Sequence, residues 1–94
     1  MSDVNPDAPS GPPIAEVTVV YLGPVAPHWE IRCDRGDRNA AQDFAARVHA
    51  RLMLLPPHDP QFRRNRERVI RDAERENLLL AWDPPELMAD YVPR

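Results

Sequence analysis

Residues 14–24 read Ile-Ala-Glu-Val-Thr-Val-Val-Tyr-Leu-Gly-Pro, and this stretch decides the fold. Its centre, residues 17–21, is dense in β-branched and aromatic side chains, which is typical of a β-strand, and Gly23 with the following proline ends it. Both alternating sets of side chains are largely apolar. A strand that is apolar on both faces is predicted to lie at the centre of a sheet or at an interface.

A second strand is predicted over residues 28–33, because apolar and polar side chains alternate there. Trp29, Ile31 and Cys33 share one face. The five residues 23–27 are a suitable length for a hairpin loop. We therefore predict that the first two strands form one antiparallel hairpin.

The first helix is predicted to begin at Asn39, whose side chain can cap the backbone, with Gln42 at the reciprocal capping-box position. Pro56 ends it, because proline cannot continue a helix. Apolar residues recur three and four apart along one face. They are Ala41, Phe44, Ala45, Val48, Leu52 and Leu55.

The second helix is predicted to begin at Asp59-Pro60, an acidic cap followed by a proline at the first helical position. Its core stripe comprises Phe62, Val69, Ala73 and Leu80. Leu78 and Leu79 project away from this stripe, so residues 78–82 have two interpretations. Helix propensity favours a continued helix, and a short strand is the alternative. The pattern Asp83-Pro84-Pro85-Glu86 then predicts a short helix over residues 86–91.

These elements predict an α+β fold, with a β-hairpin packed against two antiparallel α-helices, a short C-terminal helix and a disordered N-terminal tail. The tail is residues 1–13, whose polar, proline-rich composition cannot repay the entropy of ordering. Residues 14–94 are predicted to form a single small domain, since 94 residues leave no room for a second core.

Composition limits the classes of function. The 12 basic residues are all arginine, which resembles the bias of a GC-rich, bacterial-like genome and weakens arginine as functional evidence. Net charge is −3, and because each end contributes −2, residues 14–82 carry only +1. A nucleic-acid binder is expected to be more basic. The lone Cys33, the absence of a signal-like N-terminus and the short apolar runs predict a cytoplasmic protein without a membrane-spanning helix.

The sequence shows no catalytic constellation and no cofactor motif. Cysteine and histidine lack the paired spacing of a metal site, and both serines lie in the predicted tail. Three glycines do not provide a phosphate-binding loop. We therefore expect no catalytic residue, no metal and no cofactor, and the sequence favours a non-enzymatic protein.

Four arginines of the second helix, spaced four, three and four apart, lie opposite its apolar stripe. This arginine stripe, which could follow a phosphate backbone, consists of Arg64, Arg68, Arg71 and Arg75. Acidic residues at helical spacing can neutralise it: Glu67 for Arg71, and Asp72 for both Arg68 and Arg75. A solvated, ion-paired face is the favoured interpretation.

A two-stranded hairpin alone leaves both strand edges unpaired, so another strand should cover them. Residues 78–82, a second copy of the chain, or a partner could supply it. Tyrosine and tryptophan are frequent at interfaces, so Tyr21 and Trp29, with Val19, are the predicted partner-binding residues. The preferred function is a small accessory or regulatory protein-interaction module, acting as a homodimer or on a larger protein partner. A nucleic-acid-binding regulator that uses the arginine stripe is the alternative.

Overall fold

A computed structural model describes residues 12–23, 25 and 28–91, and it shows an α+β arrangement of one sheet and two helices, as predicted. Most of the predicted tail, residues 1–11, lies outside the described residues. Pro12 and Pro13 are described and are exposed. The elements in chain order are β1 (Ala15–Tyr21), β2 (Trp29–Gly36), α1 (Arg38–Leu52), α2 (Pro60–Arg75), β3 (Leu78–Asp83) and a 3₁₀ turn (Pro85–Met88).

The sheet has three strands in the order β2-β1-β3, so the predicted hairpin is only part of it. β1 pairs antiparallel with β2, from Ala15 opposite Gly36 to Tyr21 opposite Trp29, with an irregularity between Glu16 and Val17. β1 also pairs in parallel with β3. β1 is therefore the central strand, which is one of the two positions that its apolar character on both faces predicted.

The prediction of continued helix over residues 78–82 was wrong, because these residues form most of β3. α2 ends at Arg75, and Asn77 adopts the left-handed conformation with φ 57°, which turns the chain out of the helix. The carbonyl of Asn77 accepts a hydrogen bond from Ile14 N–H at 2.9 Å and so aligns β3 beside β1. Strand pairing thus outweighs the helix propensity of leucine and alanine. Leu80, which was predicted to belong to the core stripe of the second helix, lies in the sheet.

The cap of the first helix lies two residues earlier than predicted, at Asp37 instead of Asn39. The carboxylate of Asp37 caps α1 by accepting hydrogen bonds from the N–H groups of Asn39 and Ala40, at 2.9 and 3.2 Å. Asn39 is therefore inside the helix. The helix also ends at Leu52, before the prolines. Asp59 caps α2 as predicted, through the N–H of Gln61.

Both helices cover the same face of the sheet. Phe44, Val48 and Leu52 of α1 and Phe62, Val69 and Ala73 of α2 are buried in one core with Val17, Val19, Trp29 and Trp82. The helices are antiparallel, because Arg47 pairs with Glu76 while Arg51, one turn later, pairs with Asp72, which precedes Glu76 by four residues. The predicted packing of two antiparallel helices against the strands is therefore present.

After β3 the chain forms the 3₁₀ turn in place of the predicted helix over residues 86–91. Arg66 holds this segment against α2. Its guanidinium donates to the carbonyl oxygen of Leu87 at 2.6 Å and to Asp90 at 2.8 Å, and it lies over the rings of Phe62 and Tyr91. Within the described part of the chain, no helix is both long and apolar enough to cross a membrane.

Candidate interaction surface

The predicted partner-binding residues lie mainly in the core. Val19 is fully buried and Trp29 is 2% exposed, and only Tyr21 is partly accessible. Trp29 stacks on Phe62 at 5.4 Å between ring centroids, and Tyr21 lies 4.8 Å from Trp29. A partner could reach Val19 or Trp29 only by opening the core. Contact with Tyr21 stays a prediction, and accessible apolar surface has to be sought elsewhere.

The side of the sheet opposite the helices is not covered by any element among the described residues, and it has a polar half near β2. Thr18, at its centre, donates to Asp34 at 2.5 Å, and Arg32 donates to the other carboxylate oxygen at 2.6 Å. The hydrogen bond from Thr18, with that from Arg32, lowers the pKa of Asp34, and the same carboxylate raises the pKa of Arg32. The polar side chains of this half thus form hydrogen bonds with one another.

The half of that face on β3 is apolar. Leu79 is 54% exposed and Ala81 is also exposed, while their neighbours Leu78 and Trp82 are buried on the helix side. Alternation along the strand therefore directs one set of apolar side chains into the core and leaves the other set in water. Residues 78–82 contain no charged residue. Leu79 is thus an exposed apolar residue on a strand at the edge of a sheet.

The two outer edges of the sheet differ in how they are protected against pairing. β2 carries charged side chains at Glu30, Arg32, Asp34 and Arg35, and its pairing with β1 is irregular near its end. Charges and bulges are common devices that discourage another strand from adding to an edge. β3 pairs with β1 in unbroken register, and its first charge is Asp83 at the last position. Of the two edges, only that of β3 lacks such protection.

A second apolar surface lies where α1 ends. Met53 and Leu54 are 65% and 72% exposed, and they border an open cavity of about 380 Å³ lined also by His28, Trp29, His49 and Ala50. Met53 has φ 35°, a strained value for a residue other than glycine. Hydrogen bonds fix the neighbouring backbone, since Trp29 donates to the carbonyl oxygen of Leu55 at 2.9 Å. The two exposed side chains therefore stand on a well-anchored turn.

The arginine stripe is exposed along α2, and ion pairs offset part of its charge. Arg71 lies 3.4 Å from Glu67 and Arg75 lies 3.8 Å from Asp72, as the spacing predicted. The predicted contact of Arg68 with Asp72 does not form, because Asp72 is buried between the helices and accepts from Arg51 at 2.7 Å. Arg64 donates to Gln61.

Reactive and metal-ligating side chains do not converge in the described part of the chain. No group of three or more histidine, cysteine, aspartate or glutamate side chains is placed to hold a metal ion there. Cys33 is half-buried on the helix side of β2, with its sulfur 3.7 Å from the carbonyl oxygen of Arg35. These positions give no support to a catalytic or metal site at Cys33.

Sequence reasoning did not identify Leu79, Met53 or Leu54 as surface residues, although a signal was present for Leu79. Leu79 departs from the apolar stripe of the second helix, and that departure marks the change from helix to strand. Arg66 was also missed as a buried residue. It stands four residues after Phe62 and three before Val69, so it occupies the apolar stripe itself.

The chain matches no protein-family model, and comparison with curated proteins and with solved structures gives no match. The geometry of the described residues is therefore the basis of the functional proposal.

Proposed function

We propose that this protein is a small non-enzymatic interaction module that binds protein through the outer edge of β3. The observation that carries the proposal is the contrast between the two edges of the sheet. β2 is charged and irregular, whereas β3 is regular, carries no charge before its last residue, Asp83, and exposes Leu79. An accessory or regulatory role, by self-association or by docking on a larger partner, follows from such a surface.

Strand addition explains how the edge would bind. An edge strand presents a row of backbone N–H and C=O groups, and an added strand pairs with them while its side chains contact those of the edge. Leu79 and Ala81 would lose exposed apolar surface in this process. Complete burial of an exposed leucine side chain contributes about 1.5–3 kcal/mol, and Leu79 is 54% exposed, so its burial would contribute about half of that, ~0.8–1.6 kcal/mol.

The turn at Met53 and Leu54 is the competing apolar surface, but it offers no comparable row of backbone groups. Its neighbouring groups are already used, since the N–H of Met53 donates to the carbonyl oxygen of His49 and the N–H of Leu55 to that of Leu52. Leu54 is, however, an exposed leucine of similar accessibility to Leu79. It therefore provides a matched control.

The test compares Leu79→Lys with Leu54→Lys. Lysine on an edge strand discourages pairing, and both leucines are exposed, so neither change should greatly alter the stability of the isolated chain. Association of the wild-type chain is measured by light scattering at ~10–100 μM, a range that covers weak self-association. Partners are recovered from the protein's own cells with each variant as bait.

We expect Leu79→Lys to lose the association, or the recovered partner, and Leu54→Lys to retain it. The proposal is wrong if the wild type is a monomer throughout the range and recovers no partner. It is also wrong if Leu54→Lys, and not Leu79→Lys, removes the association. In that case the turn after α1 would be the binding surface.

The arginine stripe leaves nucleic-acid binding as the second candidate function. It is favoured by the exposure of all four arginines on one side of α2. The acidic partners of Arg71 and Arg75 and the net charge of −3 weigh against it.

A further inference from the structure

We infer that the β3 edge pairs with the β3 edge of a second copy of this chain, antiparallel and centred on Leu80. The inference rests on the proposed function and adds the identity of the partner and its register. The product would be one continuous sheet of six strands in the order β2-β1-β3-β3-β1-β2, with the helices of both copies on the same side.

The sequence of β3 is complementary to itself in this register. A two-fold axis at Leu80 places Leu78 opposite Trp82 of the other copy on the helix side. It places Leu79 opposite Ala81 on the uncovered side. All five residues from 78 to 82 then meet apolar residues, and the nearest charge, Asp83, lies opposite the neutral Asn77. No like charges meet, so the pairing carries no repulsion of the kind that destabilises cross-strand pairs.

The other registers that keep the helices on one side of the sheet fit less well. Centring on Ala81 places Asp83 opposite Leu79 and Pro84 opposite Leu78, and proline has no N–H to donate to the ladder. Centring on Leu79 places Asn77, in its left-handed conformation, opposite Ala81. Each shift shortens the apolar ladder, so the register centred on Leu80 is preferred.

The protection of β2 determines the size of the assembly. Each copy has one edge that can pair, because Glu30, Arg32 and the irregular end of β2 discourage addition there. An assembly in which the same edge of both copies meets about a two-fold axis is closed. We therefore expect a dimer and no larger polymer.

Disulfide cross-linking measures the register directly. In a Cys33→Ser background, which removes the native thiol, one sample carries Leu79→Cys and a second, isotopically labelled sample carries Ala81→Cys. Directly opposed residues of antiparallel strands have Cα atoms about 4.5–5.5 Å apart, within the usual range of a disulfide of about 4.4–6.8 Å. Diagonal neighbours are about 7–8 Å apart, which is outside that range.

Mild oxidation of the mixture at ~100 μM should give labelled–unlabelled dimers linked between positions 79 and 81, in clear excess over the links that each sample forms alone. The cysteine variants are first checked by circular dichroism and sedimentation. Glu16→Cys, on the same face of central β1, is the negative control and should form no cross-link because β1 is not at the junction. If either cysteine variant is misfolded, sedimentation of the wild type at ~100 μM decides, and a monomer there overturns the inference.

The outcomes separate this inference from the proposed function. Dominant links between identical positions, 79 to 79 or 81 to 81, would overturn the register. A monomeric wild type at the same concentration would overturn the inference of a second copy. The proposed function would fail as well if that monomer also recovered no partner from cells, or if a recovered partner still bound Leu79→Lys.

Discussion

Replacing Trp29 tests whether this residue belongs to the core or to an interface. Trp29 is 2% exposed, stacks on Phe62 and donates from Nε1 to the carbonyl oxygen of Leu55 at 2.9 Å. Trp29→Ala removes the whole side chain, whereas Trp29→Phe keeps an aromatic ring and removes the hydrogen bond. Because phenylalanine is smaller than tryptophan, Trp29→Phe also loses part of the packing, and the two variants compare a complete with a partial loss of core contact.

The structure gives the size of each effect. Truncation of a buried tryptophan to alanine costs about 3–5 kcal/mol in unfolding free energy, because apolar contact is lost and a cavity is left. Loss of the partner of a buried carbonyl costs about 1–3 kcal/mol, and the low end applies because Leu55 is only half-buried. Trp29→Phe adds the packing lost with part of the indole, so its cost should lie between ~1 kcal/mol and the cost of Trp29→Ala. A domain of this length has a total stability of roughly 5–14 kcal/mol. Trp29→Ala should thus remove a large part of the free energy of unfolding.

Urea unfolding followed by far-ultraviolet circular dichroism measures both variants, because the helical signal does not depend on the indole that is replaced. We expect the order wild type, Trp29→Phe, Trp29→Ala in decreasing midpoint, with unchanged slope. A loss below about 1 kcal/mol for Trp29→Ala, together with dissociation of a dimer, would refute the placement of Trp29 in the core and favour a direct interface role.

Three further predictions concern local contacts. Asp37→Ala should lower the unfolding free energy by about 0.5–2 kcal/mol in the same urea assay, and Asn39→Ala by clearly less, because Asp37 is the cap; equal losses would contradict this. The pKa of Asp34 is lowered in the folded protein, so its contribution to the free energy of unfolding is present above the unfolded pKa of about 3.9 and is lost as pH falls through the folded pKa. Thr18→Val should make the melting temperature less sensitive to acid in thermal melts at pH 2–5. Changing all four arginines of the stripe to glutamine should leave the fold intact, and filter binding should show no salt-sensitive nucleic-acid complex even for the wild type; micromolar binding at ~150 mM salt would favour the nucleic-acid function.

Local sequence signals predicted most elements of the fold. The alternation around Trp29, the β-branched run before Tyr21 and the Asp59-Pro60 start of α2 each specify a structure through a short-range mechanism. Their elements are present with bounds within a few residues. The cap of α1 was misplaced because Asp37 and Asn39 both have suitable side chains, and periodicity alone does not decide between caps two residues apart.

Long-range pairing could not be predicted in the same way. Residues 78–82 have a helix-forming composition, and only the proximity of β1, about sixty residues earlier in the chain, makes them a strand. The candidate surface depends on that pairing, because Leu79 becomes an exposed edge residue only once Leu78 and Trp82 face the core. Trp29 is the opposite case, because it was predicted to bind a partner but is buried by packing within its own chain.

Backbone hydrogen exchange at two protein concentrations tests most directly whether the chain associates through the β3 edge. Amides that pair across an interface exchange more slowly when the interface forms, and exchange is resolved along the chain. Between ~1 and ~100 μM we expect increased protection confined to residues 78–83, with residues 29–36 of β2 and residues 52–55 unchanged. Association through β3 would be contradicted if protection increased instead at β2 or at the turn after α1. It would also be contradicted if protection stayed the same everywhere while light scattering showed a dimer.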